Sequence, residues 1–289
     1  MKDSLTHRTA PSQKPNEPSI PGATVRIRLD IAFDGTAYQG WQWQRIGTGV
    51  QDKIQQAIHN VFRIDLQVYG SSRTDTGVHA LGMVAHVDLP SSVAKLPPGK
   101  LMLAINAHLP GDIRIMRTRV VTKNFHARFS ASGKQYRYYV WNHPSHLPSG
   151  INTSWHVPYA LDVVAMREAA ALVEGTRDFR AFAVNTSYRK NNTIRTVKRC
   201  SIQKVGSLLT FVIEGDGFLY KMCRGIVGTI IQIGQGKFKP EDIPKMLACE
   251  DRRMAGMTAP AAGLTLWKVF YRKKNNSKAD TNQFEIEKE

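Results

Sequence analysis

Residues 70–82 read GSSRTDTGVHALG, a stretch rich in glycine, serine and threonine that encloses one arginine and one aspartate. This composition is typical of a tight surface loop, in which an aspartate most often forms a turn. The flanking stretches, DLQVYG (65–70) and MVAHVDL (83–89), have the composition of strands. The sequence therefore predicts that Arg73 and Asp75 lie in a loop between two strands, where a rigid scaffold often presents functional side chains.

Strand and helix patterns alternate on both sides of this loop. In TVRIRLDIAF (24–33) apolar and polar residues alternate with a period of two, which predicts a half-buried strand. In TGVQDKIQQAIHNVFR (48–63) apolar residues recur at helical spacing after Thr48, a plausible N-cap. Further strands are predicted at 112–121, 134–142, 263–271 and in a hairpin over 195–216, and further helices at 100–110, 161–175, 217–236 and 240–251.

The order of these elements predicts the fold class. Hairpins and the lack of regular strand–helix–strand alternation favour an α+β fold with a mostly antiparallel sheet. Residues 23–150 are expected to form a first half that carries the Asp75 loop, and residues 151–272 a second half. The tails, residues 1–22 and 273–289, have the polar composition of disordered segments.

The charge of the chain indicates its partner. The formal net charge is +17, and each tail contributes only about one positive charge, so the excess lies on the folded middle. A basic folded surface is typical of a protein that binds a polyanion, most often a nucleic acid.

Several other classes are excluded by what the sequence lacks. It has no apolar run of about 20 residues for a membrane span, and no apolar segment of a secretory signal near its start. Cys200, Cys223 and Cys249 are far apart, and His143 and His146 lie in a proline-containing loop without a second ligand pair. We therefore expect a cytoplasmic protein with no membrane association and no metal.

Four features coincide along the chain. They are the Asp75 loop, the tyrosine-rich strand of FSASGKQYRYYVWN, the basic helix of FLYKMCRGIVG and the closing strand of AAGLTLWKV. Together they resemble the tRNA pseudouridine synthase A family over residues 24–271. The matching blocks, in order, are FDGTAYQGWQWQ, GVQDKIQQAI, SSRTDTGVHALG, LPGDI, FHARFSASGKQYRYYV, GFLYKMCRGIVG and AAGLTLWKV. Two residues depart from the usual pattern: Ser72 replaces a common glycine, and Thr76 replaces a common alanine or lysine.

The resemblance implies a fold and a reaction. The fold is the pseudouridine synthase catalytic fold, in which two α/β halves share a central, mostly antiparallel sheet with the active cleft between them. The family acts as a homodimer without a cofactor. It isomerises uridine to pseudouridine in the anticodon stem-loop of tRNA, at positions 38, 39 and 40.

The resemblance also implies roles for five residues. Asp75 is the catalytic carboxylate, and Arg224 is its partner, because a desolvated aspartate stays ionised only beside a cation. Arg73 holds RNA phosphate or keeps the target base out of the stack, since the base must flip to react. Tyr136 stacks on the flipped uracil, and Leu264 supplies an apolar floor. Attack on the sugar, attack on the base and removal of a ribose proton all stay open for Asp75.

Three alternatives compete with this interpretation. Residues 75–77 are also the D-T-G of aspartic proteases, but that class needs two carboxylates that share a proton, and an adjacent arginine opposes such sharing. A tRNA-binding protein that has lost catalysis would have replaced the aspartate or the tyrosine, and both are present. The third alternative is a synthase of the same fold that acts on a different RNA uridine.

Overall fold

The computed structural model describes residues 22–42, 48–184 and 193–272. Apart from Gly22, the two tails predicted to be disordered lie outside the described residues. The strands are β1 (Thr24–Phe33), β2 (Tyr69–Gly70), β3 (His79–Pro90), β4 (Ile113–Val121), β5 (Ala131–Trp141), β6 (Trp155–His156), β7 (Gly175–Asp178), β8 (Ile194–Val205), β9 (Leu208–Gly215) and β10 (Leu264–Tyr271). The helices are α1 (Val50–Phe62), α2 (Pro98–Asn106), α3 (Val163–Val173), α4 (Met222–Gly234) and α5 (Asp242–Cys249), with 3-10 turns at Pro148–Gly150 and Arg180–Phe182.

All the described strands belong to one sheet. Its order is β4-β1-β3-β10-β5-β9-β8-β7, with β2 paired to β3 and β6 paired to β5. The pairs are antiparallel except for β3 with β10 and β5 with β6. The predicted α+β fold with a mostly antiparallel central sheet is therefore confirmed.

The last strand lies in the middle of the sheet and not at its edge. β10 is parallel to β3, with Thr265 opposite His79, and antiparallel to β5, with Leu266 opposite Tyr136. Because β3 and β10 run in the same direction and start in register, the segments that precede them emerge at the same end of the sheet. The loop that carries Asp75 is one of these two segments.

The sheet also joins the two predicted halves. β5 falls within residues 23–150, yet its neighbours are β9 and β10 of the later half. The boundary near residue 150 stays a prediction, and the hydrogen bonding between strands crosses it.

The strand predicted at 65–70 is much shorter in the structure, since only Tyr69 and Gly70 pair with β3. Helix α1 explains the difference. The Gln51 side chain donates to the Val68 carbonyl at 2.9 Å, and the Gln55 side-chain oxygen accepts from the Val68 N–H at 3.1 Å. These side chains satisfy the backbone groups that a strand partner would otherwise bond.

Two predicted helix starts are also corrected. Helix α1 begins after Gly49, whose N–H donates to the Asp52 carboxylate at 2.8 Å, so Thr48 is not its N-cap. Helix α4 begins at Met222, because Lys221 has a left-handed backbone with φ of 59°. Lys221 therefore lies before α4 and does not share a helical face with Arg224.

Candidate active site

The backbone before Asp75 is held by the loop that follows β1. The Trp41 N–H donates to the Thr74 carbonyl at 3.2 Å. Gly40 has a positive φ of 84°, and a side chain there would collide with the same carbonyl oxygen. A glycine at this position is therefore required both by the backbone conformation and by the close approach of the two loops.

The backbone after Asp75 forms a tight turn. The Val78 N–H donates to the Asp75 carbonyl at 3.1 Å, and Gly77 has φ of 76°, as a type II turn requires at its third residue. The Gly77 N–H also donates to the Tyr38 carbonyl at 3.3 Å. The turn-forming interpretation of this stretch is thus correct for the Asp75 backbone, and it leaves the side chain available for another role.

The Asp75 carboxylate forms an ion pair with Arg224 of α4. Nη1 of Arg224 donates to Oδ2 of Asp75 at 2.9 Å, and the two side chains are only 13% and 17% exposed. Nε of Arg224 donates to the Ala259 carbonyl at 2.8 Å, and the Ala259 N–H donates back to the Arg224 carbonyl at 3.0 Å. The guanidinium is therefore fixed from two sides, and the contact predicted between these residues is present.

Tyr136 lies on β5 and is almost fully buried, with 6% of its surface exposed. Its hydroxyl forms a hydrogen bond of 3.0 Å with Oγ of Ser72, three residues before Asp75. Phe218 contacts the ring edge-on at a centroid distance of 5.2 Å. Burial raises the pKa of the Tyr136 phenol well above its ordinary value, with smaller contributions from Cys223 and Asp75, so the phenol is neutral at physiological pH.

Leu264 lies at the start of β10 and is 6% exposed. It pairs with Tyr138, and Leu266 pairs with Tyr136. Because alternate residues of a strand point to the same face, Leu264 and Tyr136 are diagonal neighbours on one face of the sheet. An apolar surface made by the two side chains is therefore consistent with the predicted floor.

Arg73 is placed differently from the other four predicted residues. Its side chain is exposed, and in the described part of the chain we find no hydrogen bond or ion pair that joins it to Asp75. The structure thus brings Asp75, Arg224, Tyr136 and Leu264 to one end of the sheet and leaves Arg73 at the surface beside them.

Comparison with known proteins assigns the family. The family model described as tRNA pseudouridine synthase matches residues 31–130 and 169–272. The chain belongs to the tRNA pseudouridine synthase family. A protein named tRNA pseudouridine synthase A from Thermoanaerobacter sp. (strain X514) is 41% identical over 245 residues, which is 85% of this chain and 99% of that protein.

Two further proteins named as synthases of this family support the assignment. The tRNA pseudouridine synthase A of Geobacillus kaustophilus (strain HTA426) is 43% identical over 251 residues, 86% of this chain and 95% of that protein. The tRNA pseudouridine synthase A 2 of Clostridium perfringens (strain 13 / Type A) is 41% identical over 246 residues, which is 85% of this chain and 99% of that protein. A crystal structure of an unknown protein from Galdieria sulphuraria aligns with a TM-score of 0.22 at 17% identity, covering 75% of this chain and 94% of that one.

Sequence reasoning missed two residues that bond within this candidate site. Nζ of Lys134 donates to Oγ of Ser72 at 3.2 Å, so Ser72 links Lys134 to the Tyr136 hydroxyl. Burial, with smaller contributions from the charges of Arg128 and Arg195, lowers the pKa of Lys134 to about 8. Two signals could have found these residues: Ser72 departs from the family pattern, and Lys134 lies two positions before Tyr136 on the same strand face.

The described residues contain neither a metal-binding cluster nor a membrane-spanning helix. Within the described ranges, no three histidine, cysteine or acidic side chains come together as a metal site would require. None of the helices in this part of the chain is long and apolar enough to span a membrane.

Proposed function

We propose that this chain isomerises uridine to pseudouridine in the anticodon stem-loop of tRNA, at positions 38, 39 and 40. Asp75 is the catalytic carboxylate, and the flipped uracil stacks on Tyr136. The Asp75–Arg224 ion pair carries this proposal, because it joins the two matched segments of the family in one partly buried contact.

The ion pair suits the chemistry for an electrostatic reason. A carboxylate that must act on a sugar or a uracil ring has to be ionised while the bound base excludes water. Arg224 lies 2.9 Å away and is held by Ala259, so its charge is in place before the substrate arrives. The reaction moves the glycosidic bond from nitrogen to carbon of the same base and needs no net electron transfer.

Tyr136 suits the role of a stacking surface and not that of a base. Its raised pKa keeps the phenol protonated, and its hydroxyl is already bonded to Ser72. Stacking of an aromatic ring on a base contributes about 1–3 kcal/mol. Leu264, on the adjacent strand, extends the same apolar surface.

Recognition of tRNA follows from the charge of the chain. The formal charge of +17 favours a polyanion, and phosphate contacts supply much of the affinity of such complexes. The exposed side chain of Arg73, beside Asp75, can reach a phosphate or occupy the place of the flipped base. We further propose that the protein is a homodimer in the cytoplasm.

Tritium release from tRNA transcripts labelled at uracil C5 tests the reaction, because C5 loses its hydrogen when it joins the sugar. We expect wild-type protein to release tritium and Asp75→Asn to release none, while its tRNA affinity stays within a few-fold of wild type. The modified sites are then mapped. Release that maps outside the anticodon arm would keep the chemistry and refute the target, and no release from any tRNA would refute the enzyme.

A further inference from the structure

Residues 122–130 (TKNFHARFS) connect β4 to β5 and cross one face of the sheet. At their end, Phe129 is 57% exposed, although phenylalanine is usually buried. The Arg128 guanidinium lies 5.7 Å from the centre of its ring. An exposed aromatic ring beside a cation raises the question of what it contacts.

The backbone of this connection is held by side chains from three different strands. Nη1 of Arg26 donates to the carbonyls of Lys123 and Phe125 at 2.9 and 2.8 Å. The Tyr271 hydroxyl donates to the Ala127 carbonyl at 2.6 Å, and the Ala127 N–H donates to Nδ1 of the buried His86 at 3.2 Å. A connection held in this way does not have the freedom of an ordinary surface loop.

His126 supports the last part of the connection. Its Nδ1 accepts from the N–H groups of Arg128 and Phe129 at 3.1 and 3.2 Å. Its ring lies 4.3 Å from the Phe129 ring, and its own backbone N–H donates to Oγ of Ser130. Phe129 is therefore supported from behind while more than half of its surface faces solvent.

The charges around Phe129 are positive. Arg26 is paired with Asp88, and Arg28 is paired with Asp30. In contrast, Arg128 forms no ion pair with any other described residue, and the bond we find for the Lys134 ammonium is to the neutral Ser72 hydroxyl. Among the described residues, Arg128 therefore lacks the carboxylate partner that Arg26 and Arg28 have.

The position of Phe129 relates it to the active site. Tyr136 lies seven positions after Phe129, a path of at most about 24 Å at about 3.4 Å per residue. Lys134 lies between them and bonds to Ser72, three residues before Asp75. Ala131, two residues after Phe129, pairs with Tyr271 at the end of β10, whereas the Asp75 loop lies beside the start of β10. A ligand on Phe129 is therefore not the base that stacks on Tyr136.

We propose that Phe129 is a stacking platform for an unpaired base of the RNA substrate other than the flipped uridine, with Arg128 contacting its phosphate. The identity of that RNA rests on the proposed function. Stacking on an aromatic ring tolerates any base, and a preordered ring loses little conformational freedom on binding. This site supplies affinity and orientation to the reaction and takes no part in its chemistry.

The test is the affinity of four proteins for a tRNA transcript, measured by fluorescence anisotropy at one fixed salt concentration. We expect Phe129→Ala to weaken binding roughly five- to a hundred-fold, from the stacking contribution of one base. Phe129→Trp keeps the stacking surface and should stay within about two-fold of wild type. Tyr159→Ala, which removes a 69% exposed aromatic side chain from the loop after β6, is the matched control and should bind like wild type.

Kinetics separate binding from chemistry. Phe129→Ala should raise KM for tRNA and leave kcat at saturating RNA within a few-fold of wild type. Because the Phe129 side chain is exposed, the thermal unfolding midpoint of Phe129→Ala should equal that of wild type. Binding within two-fold of wild type would overturn the platform, and so would a Phe129→Trp variant as weak as Phe129→Ala. A loss accompanied by a change in oligomeric mass would show that the ring contacts protein and would also overturn it.

Failure of this inference can be told apart from failure of the proposed function. If wild-type protein releases no tritium but Phe129→Ala still weakens RNA binding, the platform stands and the reaction does not. If release maps to the anticodon arm and the Phe129→Ala variant binds normally, the reaction stands and the platform is refuted.

Discussion

The Asp75–Arg224 ion pair gives a quantitative prediction for a double-mutant cycle. Arg224→Met keeps the length of the side chain and removes its donors, and Asp75→Asn keeps the shape and removes the charge. Both side chains are largely buried, at 13% and 17% exposure, so solvent screens their attraction only in part. We expect a coupling free energy of about 1.5–3 kcal/mol, the range for a hydrogen bond to a charged group.

The cycle isolates this one contact. Arg224→Met also breaks the bond to the Ala259 carbonyl, but that loss occurs in both proteins that carry the substitution and cancels. The free energy of unfolding of the four proteins is measured by urea denaturation, with equal m-values as the condition for comparison. A coupling below about 0.5 kcal/mol would refute the claim that the pair is formed and shielded before RNA binds.

An exposed pair of the same length provides the control. Nζ of Lys245 lies 2.9 Å from the Asp242 carboxylate on α5, with 74% of the lysine side chain exposed. The cycle of Lys245→Met with Asp242→Asn should give a coupling close to zero, because water and salt screen the pair. Equal couplings in the two cycles would show that burial is not what strengthens the Asp75 pair.

Two further predictions concern the bonded group of Ser72, Lys134 and Tyr136. Ser72→Ala leaves the buried Tyr136 hydroxyl without its partner and should lower the free energy of unfolding by about 1–3 kcal/mol. Adding Tyr136→Phe removes the hydroxyl and should restore part of this loss. No recovery in the double variant would contradict the unpaired hydroxyl as the cause. Burial lowers the pKa of Lys134 to about 8 from 10.5, so the unfolded chain binds more protons between these values and the stability contribution of Lys134 rises with pH across that window. The urea midpoint of wild type should therefore rise relative to that of Lys134→Met between pH 7.5 and pH 9.5. Parallel changes of the two midpoints would refute the lowered pKa.

Periodicity predicted the elements because their burial follows directly from local pattern. In β1, for example, Leu29 and Ile31 are fully buried, as the period of two requires. One error arose where a distant group decided the local structure, since Gln51 and Gln55 replace the strand partner of Val68. The later start of α4 has a local cause, the left-handed backbone of Lys221, which side-chain periodicity does not record.

The site shows the same division between local and distant information. The family motif identified Asp75, Tyr136, Arg224 and Leu264, and the structure brings them to one end of the sheet. It could not reveal the bond between Ser72 and Lys134, because that bond depends on how β5 lies against the Asp75 loop. The exposure of Phe129 also had no sequence signal, since the same residue at a strand end is more often buried.

The central place of β10 explains why this site requires the whole chain. Asp75 and Arg224 are 149 residues apart in sequence, and they meet because β10 inserts between β3 and β5. The Ala259 backbone, five residues before β10, bonds to Arg224 at both its carbonyl and its N–H. The position of Arg224 therefore depends on the strand that is synthesised last. Asp75, the proposed catalytic carboxylate, thus acquires its counterion only once the sheet is complete, and the loop of residues 70–82 alone cannot supply it.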